Sequence, residues 1–339
     1  MYNHTESGET SGIISDETFE FLGLFFKVIV NPALGATGFC SNFINVVIFI
    51  KIGLSDGVSQ NFFILSVSDG LSSIIAFVNS VVYILQHTIF NGVERVELFI
   101  QTIYWACFYA VTFPQNVSIV TTVVIAVVRC CCVAMPFRVR YLLTASRQLA
   151  AILVSSGTAV AVLLFVFTPT KTVYVKNPQT NRLYAVFVGY RWGVYTVFTA
   201  ITLYSSFIIV IVCVIILSVS LNRSMKFREI SASGTAGAEN DRRKDMRVVK
   251  TVVFVSVVFI ICFSPPSVFS LLKVFVSGLS SQGRYRKESQ LFLMVNEMFL
   301  LLNANVNIFI YILCNTRYQS KFRSLFFKTT TGSSENNKI

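Results

Sequence analysis

The chain alternates long apolar runs that hold few charges with short polar segments. The apolar windows span approximately 27–50, 60–86, 98–134, 148–169, 193–221, 247–276 and 289–313. Each reaches or exceeds the ~20 residues that carry a helix across a bilayer. Seven crossings place the two termini on opposite sides of the membrane. Between the fourth and fifth windows, Thr172-Val-Tyr-Val-Lys176 and Arg182-Leu-Tyr-Ala-Val-Phe-Val188 flank Asn177-Pro-Gln-Thr-Asn181. Alternation, β-branched and aromatic residues and a turn cluster predict a hairpin over one end of the bundle. The segment 222–246 differs, because Ser231-Ala-Ser-Gly-Thr-Ala-Gly-Ala238 has the composition of a flexible linker between two basic clusters. After the seventh window, Tyr318, Phe322 and Phe326 recur at helical spacing with basic residues between them, which predicts an amphipathic helix along the membrane surface. The pattern specifies an all-α membrane protein, a seven-transmembrane helix bundle with a cytoplasmic amphipathic helix. It divides into a tail over 1–26, the bundle over 27–313, and the amphipathic helix and tail over 314–339.

Composition supports this division and sets its orientation. With 54% hydrophobic and 13% charged residues and a mean hydropathy of +0.67, a soluble fold of this size is excluded. The net charge of +12 raises the question of nucleic acid. The basic residues, however, lie in short loops between apolar runs and read as membrane flanks, with no nucleic-acid partner. Sorted by loop parity with the N-terminus outside, eighteen fall on the inner side and ten on the outer. The positive-inside rule therefore predicts a multi-pass plasma-membrane protein with an extracellular N-terminus. The first twenty residues are polar and acidic and lack the basic and apolar regions of a signal peptide. Asn3-His4-Thr5 is then a glycosylation sequon on the outer side. The cysteines offer no outer pair and read as small buried hydrophobes. The tail Thr329–Ser334 reads equally as a kinase target and as plain disordered chain.

Polar groups inside the windows carry the candidate chemistry, because burying them in lipid is costly. Asp69 is the one carboxylate in the middle of a window. With oxygens from Ser118, Asn303 and Asn307 it composes a hard-cation site suited to sodium as an allosteric ligand; the alternative is a structural network around a protonated aspartate. Arg129 ends the third window about one turn from the membrane boundary, and Pro136 stops its helix seven residues later. Pro265-Pro266 removes two backbone donors from the sixth helix and predicts a hinge, with Phe259 and Phe263 as a packing switch on one face.

These residues carry a resemblance. Gly38-x-x-x-Asn42, Leu65-x-x-x-Asp69, Arg129 with Pro136, Phe259-x-x-Cys262-Phe263-Ser264-Pro265 and Asn307-Ile-Phe-Ile-Tyr311, in that order from about Val28 to Phe327, resemble the rhodopsin-like class of G-protein-coupled receptors. Asn31-Pro32 and the Phe- and Ser-rich windows look most like invertebrate receptors of the molluscan chemosensory kind. The departures are equally specific. Val128 stands in place of the usual acid before the arginine and Cys130 in place of the tyrosine after it. Phe263 replaces a tryptophan, Ile308 replaces a proline, and Tyr104 falls where the outer cysteine of the third window belongs.

The resemblance implies a receptor that binds an extracellular small molecule or peptide and signals to a heterotrimeric G protein, with arrestin and a receptor kinase as partners of the C-terminal tail. It implies an Arg129–Asp245 restraint in the resting state, against the plainer reading of two solvated charges. It further implies an inner cleft lined by Arg129 and Tyr311, with Asn42 among the switch positions. The ligand pocket is expected between the outer halves of the third, fifth, sixth and seventh helices, at Thr112, Gln115, Phe263, Phe269, Lys273, Asn296 and Glu297. Val111 and Leu301 stand where amine receptors carry an aspartate and light receptors a lysine, which sets those ligands aside. Outer basic residues point to anionic ligands such as amino acids, acidic odorants or peptides with free carboxylates. A chemosensory receptor is the expected function, with a neuropeptide receptor as the alternative. A transporter or channel would show paired repeats and interrupted helices. An enzyme would need a nucleophile–base spacing that the two histidines do not offer, and no cofactor is required, sodium entering only as an allosteric ligand.

Overall fold

The computed structural model describes residues 13–88, 94–134, 143–168, 171–176, 183–188, 192–230, 236–276 and 283–326, together with Tyr141, Gly278 and Leu279. Side chains over 220–252 and over most of the two strands lie outside that description. Seven helical stretches are long and apolar enough to cross a membrane: Asp16–Ile52, Gly57–Gln86, Leu98–Cys132, Ala145–Phe167, Val197–Val219, Val253–Lys273 and Arg286–Leu313. The seven apolar windows correspond to them one for one.

The first crossing begins earlier than its apolar window. Ser15 caps α1 (Asp16–Leu24) by accepting a hydrogen bond from the Thr18 amide at 3.2 Å, and Asp16 and Glu17 place negative charge on the first turn. The tail expected over 1–26 is therefore helical from Asp16 onward. α1 passes through a π-helical segment, Phe25–Val30, into α2 (Asn31–Ile52). The wider π turn falls just before Pro32, whose missing N–H a regular α register would leave as a gap.

The long helix α3 (Gly57–Thr88) packs closely on α2. A Cβ built on Gly38 would stand 2.6 Å from Ser73 Oγ and 2.9 Å from Asn305 Nδ2, so only glycine permits the approach. Gly38→Ala is expected to cost about 1–3 kcal/mol by overpacking. Thermal unfolding in detergent would register this as a lowered midpoint. Gly157→Ala, where nothing lies within 4 Å, should leave the midpoint unchanged or raise it. Equal behaviour of the two variants would show that the α2–α3 contact is not tight.

The third crossing consists of α4 (Glu94–Ala110) and α5 (Thr112–Ala134). Pro114 in the first turn of α5 has no N–H to offer the preceding turn, and the helix steps at Val111. Thr112 Oγ1 donates to the Tyr109 carbonyl at 2.6 Å across the step. After α6 (Ala145–Phe167), β1 (Lys171–Lys176) pairs antiparallel with β2 (Leu183–Val188), Lys171 opposite Val188 and Lys176 opposite Leu183. This is the hairpin that the alternating pattern predicts, and β2 lies along α4.

The remaining elements are α7 (Trp192–Ile230), α8 (Ala236–Phe275), α9 (Arg286–Cys314) and α10 (Thr316–Phe326). α8 continues through Pro265-Pro266. Ser264 Oγ donates to the Ile261 carbonyl at 3.0 Å and so supplies a donor where the Pro265 nitrogen has none. Two buried clusters hold the bundle together. One joins α2, α3, α9 and α10 through Phe49, Phe62, Leu65, Tyr311 and Tyr318. The other joins α5, α7 and α8 through Ile119, Ala126, Val210, Cys213, Phe259 and Phe263.

Candidate functional site

At mid-membrane, Asp69 on α3 is 2% exposed. Its Oδ1 accepts from Ser118 Oγ at 2.6 Å and its Oδ2 from Asn307 Nδ2 at 2.8 Å. Three crossings thus converge on one carboxylate, and the charge-bearing group has donors instead of lipid. Asn303 is buried one turn earlier on α9 but makes no hydrogen bond to the carboxylate, so of the four residues expected together the structure joins three. For a hard cation, the oxygens at hand are both carboxylate atoms and Ser118 Oγ. Asn307 presents nitrogen, and its oxygen would serve only after the amide turned over. Asn42 sits nearby and ties α2 to α9, its Nδ2 donating to the Gly38 and Ala304 carbonyls at 2.9 Å each.

The inner end is built on aromatic packing. Tyr311 is fully buried, with its ring 5.2 Å from that of Phe49, 5.0 Å from Phe62 and 5.5 Å from Tyr318. Tyr318 of α10 reaches back into the bundle and donates to Asn45 Oδ1 at 2.6 Å, while Asn45 Nδ2 donates to Asn42 Oδ1 at 3.2 Å. Burial holds the Tyr318 phenol above its ordinary pKa. Arg129 is half-buried at the inner end of α5. Asp245 lies in α8, but its side chain is outside the described residues, as are Pro136 and Asn3.

Phe259 and Phe263 stack with centroids 4.3 Å apart and an interplanar angle of 24°. Both are buried among α5, α7 and α8. Phe263, two residues before the proline pair and expected both as a packing switch and in the ligand pocket, is packed into this core. Above it, Tyr204 on α7 donates to the Ser267 carbonyl at 2.8 Å. Phe269 stacks on Phe292 at 4.9 Å, and Lys273 Nζ stands 4.5 Å over the Phe269 ring. These two residues form an α8–α9 contact near the outer surface. Thr112 and Gln115 are half-buried on α5.

Glu297, expected in the ligand pocket, turns to the first crossing and accepts from Asn31 Nδ2 at 2.9 Å. Beside it Lys27, in the π segment, donates to Tyr104 Oη at 2.9 Å and lies 4.4 Å over the Tyr83 ring and 4.9 Å over the Tyr104 ring. Lys27 and Glu297 act on each other electrostatically without direct contact. Among the described residues, Asn31 Oδ1 and, elsewhere on α9, Asn296 Oδ1 are buried with no hydrogen-bond partner. The outer cluster therefore holds one cation between two tyrosine rings, one carboxylate and the Asn31 acceptor, drawn from the first, second, third and seventh crossings.

Sequence reasoning missed Lys27, Tyr83 and Tyr104. Lys27 reads as a flank because it opens an apolar window, and Tyr104 reads only as the residue standing in for a cysteine. A signal was available: a lysine four residues before a polar Asn-Pro pair is costly on a lipid-facing helix and calls for partners. Asn45, three residues after Asn42, was missed in the same way, since its partner Tyr318 lies almost the whole chain away.

Seven helices long and apolar enough to cross a membrane, packed around a buried carboxylate and followed by an amphipathic helix, define a seven-helix membrane bundle. Residues 43–311, roughly four-fifths of the chain, match the family model of the 7 transmembrane receptor (rhodopsin family). The chain belongs to that family, the class A G-protein-coupled receptors. No curated protein matches the sequence closely enough to serve as a relative.

Proposed function

We propose that this receptor sits in the plasma membrane with its N-terminus outside, senses a small zwitterionic ligand of the amino-acid kind, and passes the signal to a heterotrimeric G protein. Lys27 and Glu297, held in one outer cluster but not in contact, carry the proposal. A ligand bearing an ammonium and a carboxylate complements both. The ammonium answers Glu297 and Asn31 Oδ1, and the carboxylate answers Lys27. This refines the expectation of anionic ligands, since a carboxylate alone would leave the buried acceptors unanswered, and it favours a chemosensory role over a neuropeptide one. The test is GTP exchange on a supplied G protein, driven by a panel of amino acids, their decarboxylated amines and their deaminated acids. Zwitterions should activate and the two truncated series should not, and Glu297→Gln should abolish the response. Deaminated acids that activate as well as the parent amino acids would overturn the reading.

The Asp69 site is proposed to take sodium through both carboxylate oxygens and Ser118 Oγ, with water completing the shell. An ion that binds only the folded protein raises its unfolding midpoint by mass action, and a site filled a hundredfold over its dissociation constant contributes about 2.7 kcal/mol. Replacing sodium by choline should therefore lower the midpoint of the wild type by several degrees and leave Asp69→Asn unmoved. Equal sodium responses in both proteins would remove the ion from the account.

A further inference from the structure

We infer that the receptor carries a second, intramembrane binding site, entered from the bilayer between α5, α6 and α7, for a neutral lipid with a hydroxyl group partway along its chain. A cavity of about 380 Å³ opens there, within the size range of small-molecule sites. Its walls are mostly apolar (Val120, Val154, Phe198), yet Asn116, Ser155 and Ser206 also line it. Asn116 falls near the middle of Leu98–Cys132, Ser155 near the middle of Ala145–Phe167 and Ser206 near the middle of Val197–Val219. All three therefore lie at about the same depth, roughly 15 Å below either surface if the hydrocarbon core is about 30 Å thick.

Polar side chains at that depth normally satisfy one another or their own backbone. Their neighbours obey the rule: Thr158 Oγ1 donates to the Val154 carbonyl at 2.9 Å and Ser205 Oγ to the Thr202 carbonyl at 3.3 Å. Among the described residues, the side chains of Asn116, Ser155 and Ser206 make no hydrogen bond, although Ser206 is only 5% exposed. An amide and two hydroxyls facing a lipid-filled hollow are costly unless the occupant brings a donor and an acceptor. No ionisable group lines the cavity, which selects a neutral occupant. Val154, 70% exposed, leaves the mouth open to the bilayer and not to water. A hydroxyl is the smallest neutral group that both donates and accepts, and an acyl chain is the part of a lipid that reaches this depth.

The site is tested on the full chain in lipid nanodiscs. The probe is a phosphatidylcholine whose acyl chain carries a mid-chain hydroxyl and a diazirine, compared with the same lipid lacking the hydroxyl. Photolabelling of peptides containing Ser155 and Ser206 should be saturable, and competition should require the hydroxyl. Asn116→Leu should reduce the labelling by about fivefold, the loss expected for one net hydrogen bond. Val154→Trp, a change at a lipid-facing position that fills the mouth, should block it while leaving the fold intact. Equal labelling by both lipids, or labelling unchanged in both variants, would show ordinary bilayer contact and overturn the proposal. So would an Asn116-dependent cross-linked dimer that excludes the probe, because the hollow would then be covered by a second copy of the chain.

Discussion

Tyr318→Ala is expected to lower the stability of the folded receptor by on the order of 4–8 kcal/mol and to release α10 from the bundle. Two effects add. The ring is fully buried against Phe49, Tyr311 and Phe322, and truncating a packed aromatic costs about 3–5 kcal/mol through the cavity it leaves. The lost hydroxyl strands Asn45 Oδ1, its acceptor at 2.6 Å, at about 1–3 kcal/mol for a buried unsatisfied group. Only the second effect operates in Tyr318→Phe, which keeps the ring and should lose about 1 kcal/mol. The unfolding midpoint reads the total. Trypsin cleavage at Arg317, Lys321 and Arg323 reads the release of α10, and it should accelerate in the alanine variant and stay slow in the phenylalanine one. If both variants are cleaved at the wild-type rate, α10 is held by the membrane surface alone and the tyrosine anchor is dispensable.

That anchor shows where the sequence is legible and where it is not. Tyr318, Phe322 and Phe326 repeat with helical period, so the helix and its apolar face can be read locally. That Tyr318 turns inward to Asn45 while Phe326 remains 55% exposed depends on how α10 docks against α2, and no local pattern encodes that. The seven crossings and the hairpin are local patterns too, and the structure follows them. Asp69, Ser118 and Asn307 could be grouped in advance because few polar residues occupy mid-window positions, and such residues must find each other. Glu297 could not be aimed in advance. Its helix offers polar residues on more than one side, and the choice of α2 as its neighbour rests on Asn31, which directly follows the π segment. The helical start at Asp16 was hidden for another reason: capping and first-turn charge extend a helix beyond the apolar window that signals it.

Lys27→Met should destabilise the receptor by about 3 kcal/mol, the low end of the range for removing one partner of a buried charge pair. The low end applies because Asn31 still donates to Glu297 after the lysine is gone, and because Lys27 is half-buried and not sealed. Methionine keeps the apolar stem over the Tyr83 and Tyr104 rings while deleting the charge and the hydrogen bond to Tyr104 Oη. Glu297→Gln alone removes the opposite charge and leaves the lysine with its aromatic cage, so its cost should be smaller. The double variant decides the matter. If the two charges sustain each other, removing both should recover at least ~1 kcal/mol relative to the sum of the single effects, since neither charge is then left alone in a poor solvent. Strict additivity of the unfolding free energies would show that Lys27 answers only to the tyrosines. In that case the outer cluster would be two separate contacts, and a zwitterion would have no reason to bridge them. A measured coupling would instead identify the gap between ammonium and carboxylate as the place where a ligand of matching charge replaces the protein's own long-range pairing with direct contacts.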